Sequence, residues 1–167
     1  GASGQRGPTQ EQVEQMGKLS PEERNANIRA MVDGLAAKLK DNPGDREGWL
    51  RLANARKVLG QPDLAAEAYA AADKLQPFDA RLLADWAEAL VRQVPPGGAV
   101  PPAAVAVLKR LEQAEPRNGL ALFYLGVADF AEGRKPEAVR RWKTLLSMLP
   151  PDAPIRPMLQ EKIKEAE

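Results

Sequence analysis

The fold is decided by residues 49–77, which read WLRLANARKVLGQPDLAAEAYAAADKLQP. Large and small residues occur there at fixed intervals, at Trp49, Leu52, Ala53, Ala65, Tyr69, Ala72 and Pro77. Every interval returns unchanged further along, at Leu122, Leu125, Gly126, Ala138, Trp142, Leu145 and Pro150. A middle copy runs through Leu83, Trp86, Ala87, Ala104, Leu108, Leu111 and Pro116. The closing prolines lie 39 and then 34 residues apart, and a period of this length is typical of stacked helical hairpins.

Each copy predicts one pair of helices, so an all-α chain is expected. The predicted pairs lie at 46–59 with 62–75, at 80–93 with 103–114, and at 119–132 with 136–149. The repeats themselves would span about 46–79, 80–118 and 119–152. The middle copy carries five extra residues within the Pro- and Gly-rich residues 94–102, which cannot continue a helix and should form a surface loop.

Polar residues stand immediately before the expected helices, at Asp45, Asp79, Asn118 and Asp152. A side-chain oxygen at such a position accepts a hydrogen bond from the unpaired N–H groups of the first turn. A metal site is the alternative reading of four such residues. Their recurrence at the repeat spacing favours helix capping, and no metal site is predicted.

The segments outside the repeats have distinct compositions. Residues 1–18 are rich in Gly and Gln and are expected to form a flexible tail, with a weak helical turn at 10–16. Residues 19–167 would form the repeat domain. Within it, Ser20, Pro21 and Glu23 predict a capped helix that runs to about Lys40 and covers the open end of the stack. Residues 153–165 predict a last helix, with Leu159 and Ile163 on one apolar face, that caps the other end.

Composition excludes several classes of function. The 24 basic and 23 acidic residues are interspersed and give a net charge of +1, which argues against nucleic-acid binding. The sequence contains neither cysteine nor histidine, so the usual zinc sites, acid–base groups and haem ligands are missing, and neither an enzyme nor a cofactor is expected.

No apolar run of the sequence is long enough to span a bilayer. Because the first residue is Gly1, we expect a processed or cut chain whose only membrane anchor would lie upstream.

Over residues 46–150 the chain resembles the tetratricopeptide repeat family. The resemblance implies a solenoid in which the first helices of successive hairpins line a concave groove. It places charged and polar residues there from the first two repeats, at Arg51, Asn54, Lys57, Arg81, Asp85, Glu88 and Arg92. From the third repeat it places an apolar set, at Leu120, Phe123, Tyr124, Val127 and Phe130. Trp49, Trp86 and Trp142 fall at consensus or apolar-face positions, so helix packing is predicted for them in preference to ligand stacking.

A narrower resemblance covers roughly residues 19–165. It is carried by the order of the segments LSPEER at 19–24, IRAMV at 28–32, LAAKL at 35–39, DNPGD at 41–45 and LADWAEAL at 83–90. In this order they are similar to the periplasmic domain of the CcmI (CycH) family of bacterial cytochrome c maturation. The resemblance implies a chaperone that binds the C-terminal helix of apocytochrome c and presents it to the haem ligation complex. It also implies a periplasmic domain held by an upstream membrane anchor.

Two alternatives stay open at this point. The chain could instead be a general repeat scaffold that assembles an envelope or secretion complex, because repeat folds serve many functions. The apolar strip of the third repeat could also be covered by the last helix of the chain itself and not by a partner. The groove departs from the family's clamp for free peptide carboxylates, since Asn54 is the only clear match and Asp85 and Glu88 would repel a carboxylate.

Overall fold

The computed structural model describes residues 9–167, apart from the side chain of Met16. The part of the predicted tail before Thr9 lies outside the described residues. The chain divides into two compact units at residues 1–43 and 44–167. All regular elements of the described part are α-helices, as predicted.

The described part of the first unit holds two helices, α1 (Gln10–Gly17) and α2 (Pro21–Asp41). Helix α1 matches the predicted weak turn at 10–16, and the Thr9 hydroxyl caps its first turn by accepting from the Gln12 N–H at 3.2 Å. Helix α2 has the predicted capping box of Ser20 and Glu23. Its assignment as a cover for the repeat stack stays a prediction.

The second unit holds the three predicted hairpins and the last helix. Its elements are α3 (Arg46–Val58), α4 (Pro62–Leu75), α5 (Ala80–Val91), α6 (Pro102–Ala114), α7 (Gly119–Ala131), α8 (Lys135–Met148) and α9 (Arg156–Ala166). Two hairpins turn at glycines in the left-handed region, Gly60 at φ 71° and Gly133 at φ 83°, where other residues are strained. Both glycines lie in the short gaps between the predicted helices of the first and third pairs.

Ion pairs between repeats define two layers of helices. In one layer, Lys57 of α3 lies 3.9 Å from Glu88 of α5, and α5 also contacts α7. In the other, Asp73 of α4 binds Arg110 of α6 at 2.8 and 3.0 Å, and Glu112 of α6 binds Arg141 of α8 through two bonds of 2.9 Å. First helices therefore lie with first helices and second helices with second helices, as a tetratricopeptide solenoid requires.

Three of the four predicted caps are confirmed. Asp45, Asp79 and Asn118 each accept hydrogen bonds from the first-turn N–H groups of α3, α5 and α7. The prediction for Asp152 is wrong, because α9 begins only at Arg156 and its N-cap position is Ile155. The Ala153 N–H bonds to the Pro150 carbonyl, and the Arg156 N–H bonds to the Ala153 carbonyl. These two turns place the start of the helix beyond the reach of the Asp152 carboxylate.

The insertion of the second repeat forms the expected loop between α5 and α6. Its first turn is closed by the Val94 N–H bonded to the Val91 carbonyl, and Gly97 takes a φ of 75° at its tip. Val100 packs back onto the core, so the loop is anchored at its second half. Helix α6 begins at Pro102, one residue earlier than predicted, since proline suits the first helical position.

A close approach of two helices in the core joins α7 to α8. Trp142 is 1% exposed, and its indole Nε1 donates a hydrogen bond to the Phe123 carbonyl at 3.2 Å. A Cβ atom on Gly126 would lie 2.2 Å from that nitrogen, which no structure tolerates. At the equivalent positions the other repeats combine alanine with a smaller partner, Ala53 with Tyr69 and Ala87 with Leu108. The glycine thus compensates for the largest side chain in the series.

Helix α9 closes the C-terminal end of this core. Leu159 and Ile163, the predicted apolar face, are buried in one cluster with Trp142. The Arg156 guanidinium donates to the Leu146 and Leu149 carbonyls at 3.0 and 3.1 Å, which joins the start of α9 to the end of α8. The predicted last helix is confirmed in its buried face, but it spans Arg156–Ala166 and begins three residues later than predicted.

We expect the Gly126→Ala substitution to lower the free energy of unfolding by about 1–3 kcal/mol, because the new methyl group displaces the Trp142 indole. The matched control is Gly34→Ala in α2, where no atom lies within 4 Å of the added Cβ. The control should gain about 0.5–1 kcal/mol from helix propensity. Thermal unfolding of both variants checks this, and a change of the same sign in both would contradict the packing account.

Candidate peptide-binding groove

Of the twelve residues predicted for the groove, eleven lie on the first helices of the three hairpins, and Arg92 is the C-cap residue of α5. Arg51 and Asn54 are exposed on α3, and Arg81 is exposed on α5. Asp85 and Glu88 are partly buried on α5. The apolar set is partly buried throughout on α7, at Leu120, Phe123, Tyr124, Val127 and Phe130. Their joint use as a binding surface stays a prediction.

The charged part of this surface is internally bridged. The Glu88 carboxylate lies 2.9 Å from the Arg92 guanidinium and 3.9 Å from the Lys57 ammonium. Asp85 and Arg81 make no salt bridge within residues 9–167 as described, so both keep their charge available. The surface therefore offers one carboxylate and one guanidinium side by side on α5, and the charge of Glu88 is largely compensated.

The acidic side chains of α5 lie close to the buried tyrosine of the first repeat. Burial raises the pKa of Tyr69, and the negative charges of Asp85 and Glu88 raise it further. Tyr69 is 4% exposed, so its phenol stays neutral and serves packing between α4 and α5. The charged part of the groove therefore rests directly on the hydrophobic core.

The apolar part of the surface is divided between two core clusters. Leu120 and Tyr124 pack against the cluster of α5, α6 and α7, whereas Phe123, Val127 and Phe130 pack against the cluster of α7, α8 and α9. The Phe123 and Tyr124 rings meet edge to face with centroids 4.9 Å apart. Helix α9 packs chiefly on α8, and each of the five side chains keeps part of its surface exposed. The last helix therefore does not bury the strip completely.

A buried ion network fixes the C-terminal end of α7 beneath this strip. Asp129 is 4% exposed and accepts from the Arg134 Nε at 3.1 Å and from Arg141. Arg141 also holds Glu112 through both carboxylate oxygens, and these hydrogen bonds lower the pKa of Glu112. The network joins α6, α7 and α8, so the neighbouring Phe130 is presented from a rigid support.

Sequence reasoning missed the residues that connect the repeats. Asp73, Arg110 and Arg141 stand on the second helices, where a charged residue is ordinarily solvent-exposed, and no repeat-consensus position marks them. It also missed Phe78, an aromatic residue between the closing Pro77 and the cap Asp79. An apolar residue inside a turn of polar and helix-breaking residues was the available signal.

Two further features bear on the class of protein. Within the described residues no group of three potential metal ligands comes together. None of the described helices combines the length and the apolar character needed to cross a membrane.

Comparison with known proteins then decides the family. A family model described as the cytochrome c-type biogenesis protein H TPR domain matches residues 10–156. The chain belongs to this family. Cytochrome c-type biogenesis protein CcmH of Escherichia coli (strain K12) is 31% identical over 138 residues, covering 80% of this chain and 37% of that protein. CycH of Bradyrhizobium diazoefficiens is 32% identical over 137 residues, covering 82% and 37%.

Solved structures extend the likeness at the level of fold. The crystal structure of MamA superposes with a TM-score of 0.58 at 17% identity, covering 87% of this chain and 90% of MamA. The MamA RS-1 ArsTM double mutant gives a TM-score of 0.57 at 16% identity, covering 86% of both chains. This chain of the biogenesis protein H family spans just over a third of the length of the CcmH and CycH relatives.

The ion pairs between repeats predict how the stability of the fold decreases at low pH. Hydrogen bonds from Arg46 lower the pKa of Asp79, and those from Arg141 lower the pKa of Glu112. A folded-state pKa below the unfolded value contributes stability above the unfolded pKa of about 4, and this contribution is lost as the pH falls through the folded pKa.

Glu112→Gln should therefore lower the melting temperature near neutral pH and reduce its further fall between about pH 5 and about pH 2. The control Glu67→Gln changes an exposed carboxylate of α4 that makes no salt bridge within the described residues. Melting curves over this pH range test the prediction. Parallel curves for the wild type and Glu112→Gln would contradict it.

Proposed function

We propose that this protein is a periplasmic chaperone for apocytochrome c, which captures the client's C-terminal helix and presents it to the haem ligation complex. The observation that carries the proposal is the partly exposed apolar strip of α7, with Phe123, Val127 and Phe130 at its centre. Membership of the cytochrome c-type biogenesis protein H family supports a role in cytochrome c maturation. The periplasmic location follows from the family resemblance and is part of the proposal.

The strip has the chemistry and spacing to bind one face of a helix. Its residues recur at intervals of three and four along α7, so they form a single row on that helix. An amphipathic client helix presents its own apolar residues at the same intervals. Packing the two rows together would remove the remaining exposed area of the phenylalanine rings from water, which stabilises the complex.

The charged part of the groove would set the orientation of the client. Arg81 and Asp85 carry opposite charges on the same helix, and Arg51 lies on the neighbouring repeat. Complementary charges of this kind contribute to the association rate and fix the register more than they add affinity. Because the groove lacks a row of Lys, Arg and Asn residues, we expect it to read the side of the client helix and not its terminal carboxylate.

The proposed role needs no catalytic step. The chain has no histidine or cysteine to activate a nucleophile or to ligate haem iron in the usual ways. The protein would therefore handle the polypeptide before haem attachment and leave the cofactor to its partners. A scaffold for folded partners, the competing function, would bind the folded holocytochrome as well as the apoprotein.

The test is calorimetric titration of the domain with a peptide of the client's C-terminal helix. Phe123→Ala removes a partly buried aromatic anchor and should weaken binding by about 2 kcal/mol or more. Arg51→Ala changes an exposed charge, so it should alter mainly the dependence on salt. Phe78→Ala is the matched control, because it removes the same side chain outside the groove.

Circular dichroism first establishes that each variant remains folded. Equal and negligible effects of Phe123→Ala and Arg51→Ala would contradict the groove assignment. Binding of folded holocytochrome as tightly as of the apoprotein would favour the scaffold function.

A further inference from the structure

The turn between α4 and α5 presents an exposed aromatic residue in a strained conformation. Phe78 is 90% exposed, the most exposed of the large hydrophobic side chains in the described chain. Its φ of 71° lies in the left-handed region, and no other described residue except glycine adopts a positive φ. A bulky side chain is rare in that region because its Cβ crowds the backbone.

The repeat itself does not require this conformation. The equivalent residues, which also stand between a closing proline and a polar residue, are Gly44, Arg117 and Pro151. None of the three has a positive φ. The strain at Phe78 is therefore a local feature, and strain retained without a folding reason points to a function of the side chain.

The turn holds Phe78 in a fixed position. The next residue, Asp79, accepts hydrogen bonds from the N–H groups of Arg81 and Leu82 at 3.1 and 3.2 Å. Its other carboxylate oxygen accepts from Arg46 at 2.6 Å. The Arg46 Nε is buried without a hydrogen-bond partner, so holding this arginine at the turn costs some stability. The ring therefore projects from a rigid base.

The charge around Phe78 that is not compensated is positive. The nearby carboxylates of Asp73 and Asp79 are each engaged by an arginine, at 2.8 and 2.6 Å respectively. Lys74 and Arg81 are exposed and make no salt bridge within residues 9–167 as described. Leu75, three residues before Phe78, is 43% exposed and enlarges the apolar patch.

We propose that Phe78 anchors a second binding surface, and that its partner is a folded protein with an apolar pocket rimmed by carboxylates. A single projecting ring needs a concave receptor, which a folded protein provides and an extended peptide does not. The carboxylate rim follows from the uncompensated charges of Lys74 and Arg81. A lipid surface fits less well, because one ring buries little area and the net charge of +1 gives weak attraction.

The strain makes a sharp test possible. Phe78→Asn replaces the ring with a residue that tolerates positive φ, so it should raise the melting temperature by about 2–4 °C while abolishing partner binding. A residue with a merely structural role would lose stability on replacement. A melting temperature that falls on this substitution would overturn the proposal.

The partner is found by placing the photoreactive p-benzoylphenylalanine at position 78 of the full-length protein in cells. The control carries the same group at position 58, where Val58 is 78% exposed near the end of α3. A protein that crosslinks only at position 78 is identified by mass spectrometry, purified and titrated. We expect at least about tenfold weaker binding to Phe78→Asn and to Lys74→Glu, which changes a charge outside the proposed groove.

The same partner should bind Phe123→Ala as tightly as the wild type, which separates this surface from the proposed groove. Absence of a crosslink specific to position 78, or equal affinity for Phe78→Asn, would overturn the proposal. So would sedimentation with phosphatidylglycerol vesicles that Phe78→Asn abolishes, since that assigns the ring to lipid. A concentration-dependent dimer lost in Phe78→Asn would overturn it in favour of a second copy of the chain.

Discussion

The missing side chain at Gly126 is the constraint on which the third repeat depends. It lets the Trp142 indole lie against α7 and donate to the Phe123 carbonyl, so the largest core residue is both buried and hydrogen-bonded. With α8 seated in this way, Phe123, Val127 and Phe130 of α7 pack against the cluster that contains Trp142 and keep part of their surface exposed. The position of the apolar strip therefore follows from how the third hairpin packs. The contact between Trp142 and α7 also makes the strip rigid. A preorganised strip loses less entropy when a client helix binds.

The ion pairs between second helices complement this packing across the stack. In both pairs the acid belongs to the earlier repeat and the arginine to the later one, as in Asp73 with Arg110 and Glu112 with Arg141. Each repeat of a solenoid contacts only its neighbours, so such pairs fix the rotation between adjacent hairpins. They join second helices, whereas the residues of the proposed groove lie on the first helices. The contacts that hold adjacent repeats together and the residues of the proposed groove thus belong to different helices of the same repeats.

The repeat pattern predicted the helices of the second unit closely, because interval and residue size together determine which positions can pack. The caps at Asp45, Asp79 and Asn118 were predictable for the same reason. The cap predicted at Asp152 was wrong because the chain after the third repeat makes further turns before α9 begins. The partial burial of Phe123 and its neighbours was not predictable, because it depends on how far α9 reaches across α7 and α8. The positive φ of Phe78 could not be read from sequence either, since its repeat equivalents share the turn without the strain.

The central claim is that the partly exposed face of α7 binds a client helix. Hydrogen–deuterium exchange of the domain, with and without a saturating peptide of the apocytochrome c C-terminal helix, measures this at the level of each helix. The account predicts slower exchange on α7 and α5 in the complex and unchanged exchange on α8 and α9. Slower exchange confined to the turn between α4 and α5, or to the loop between α5 and α6, would contradict it.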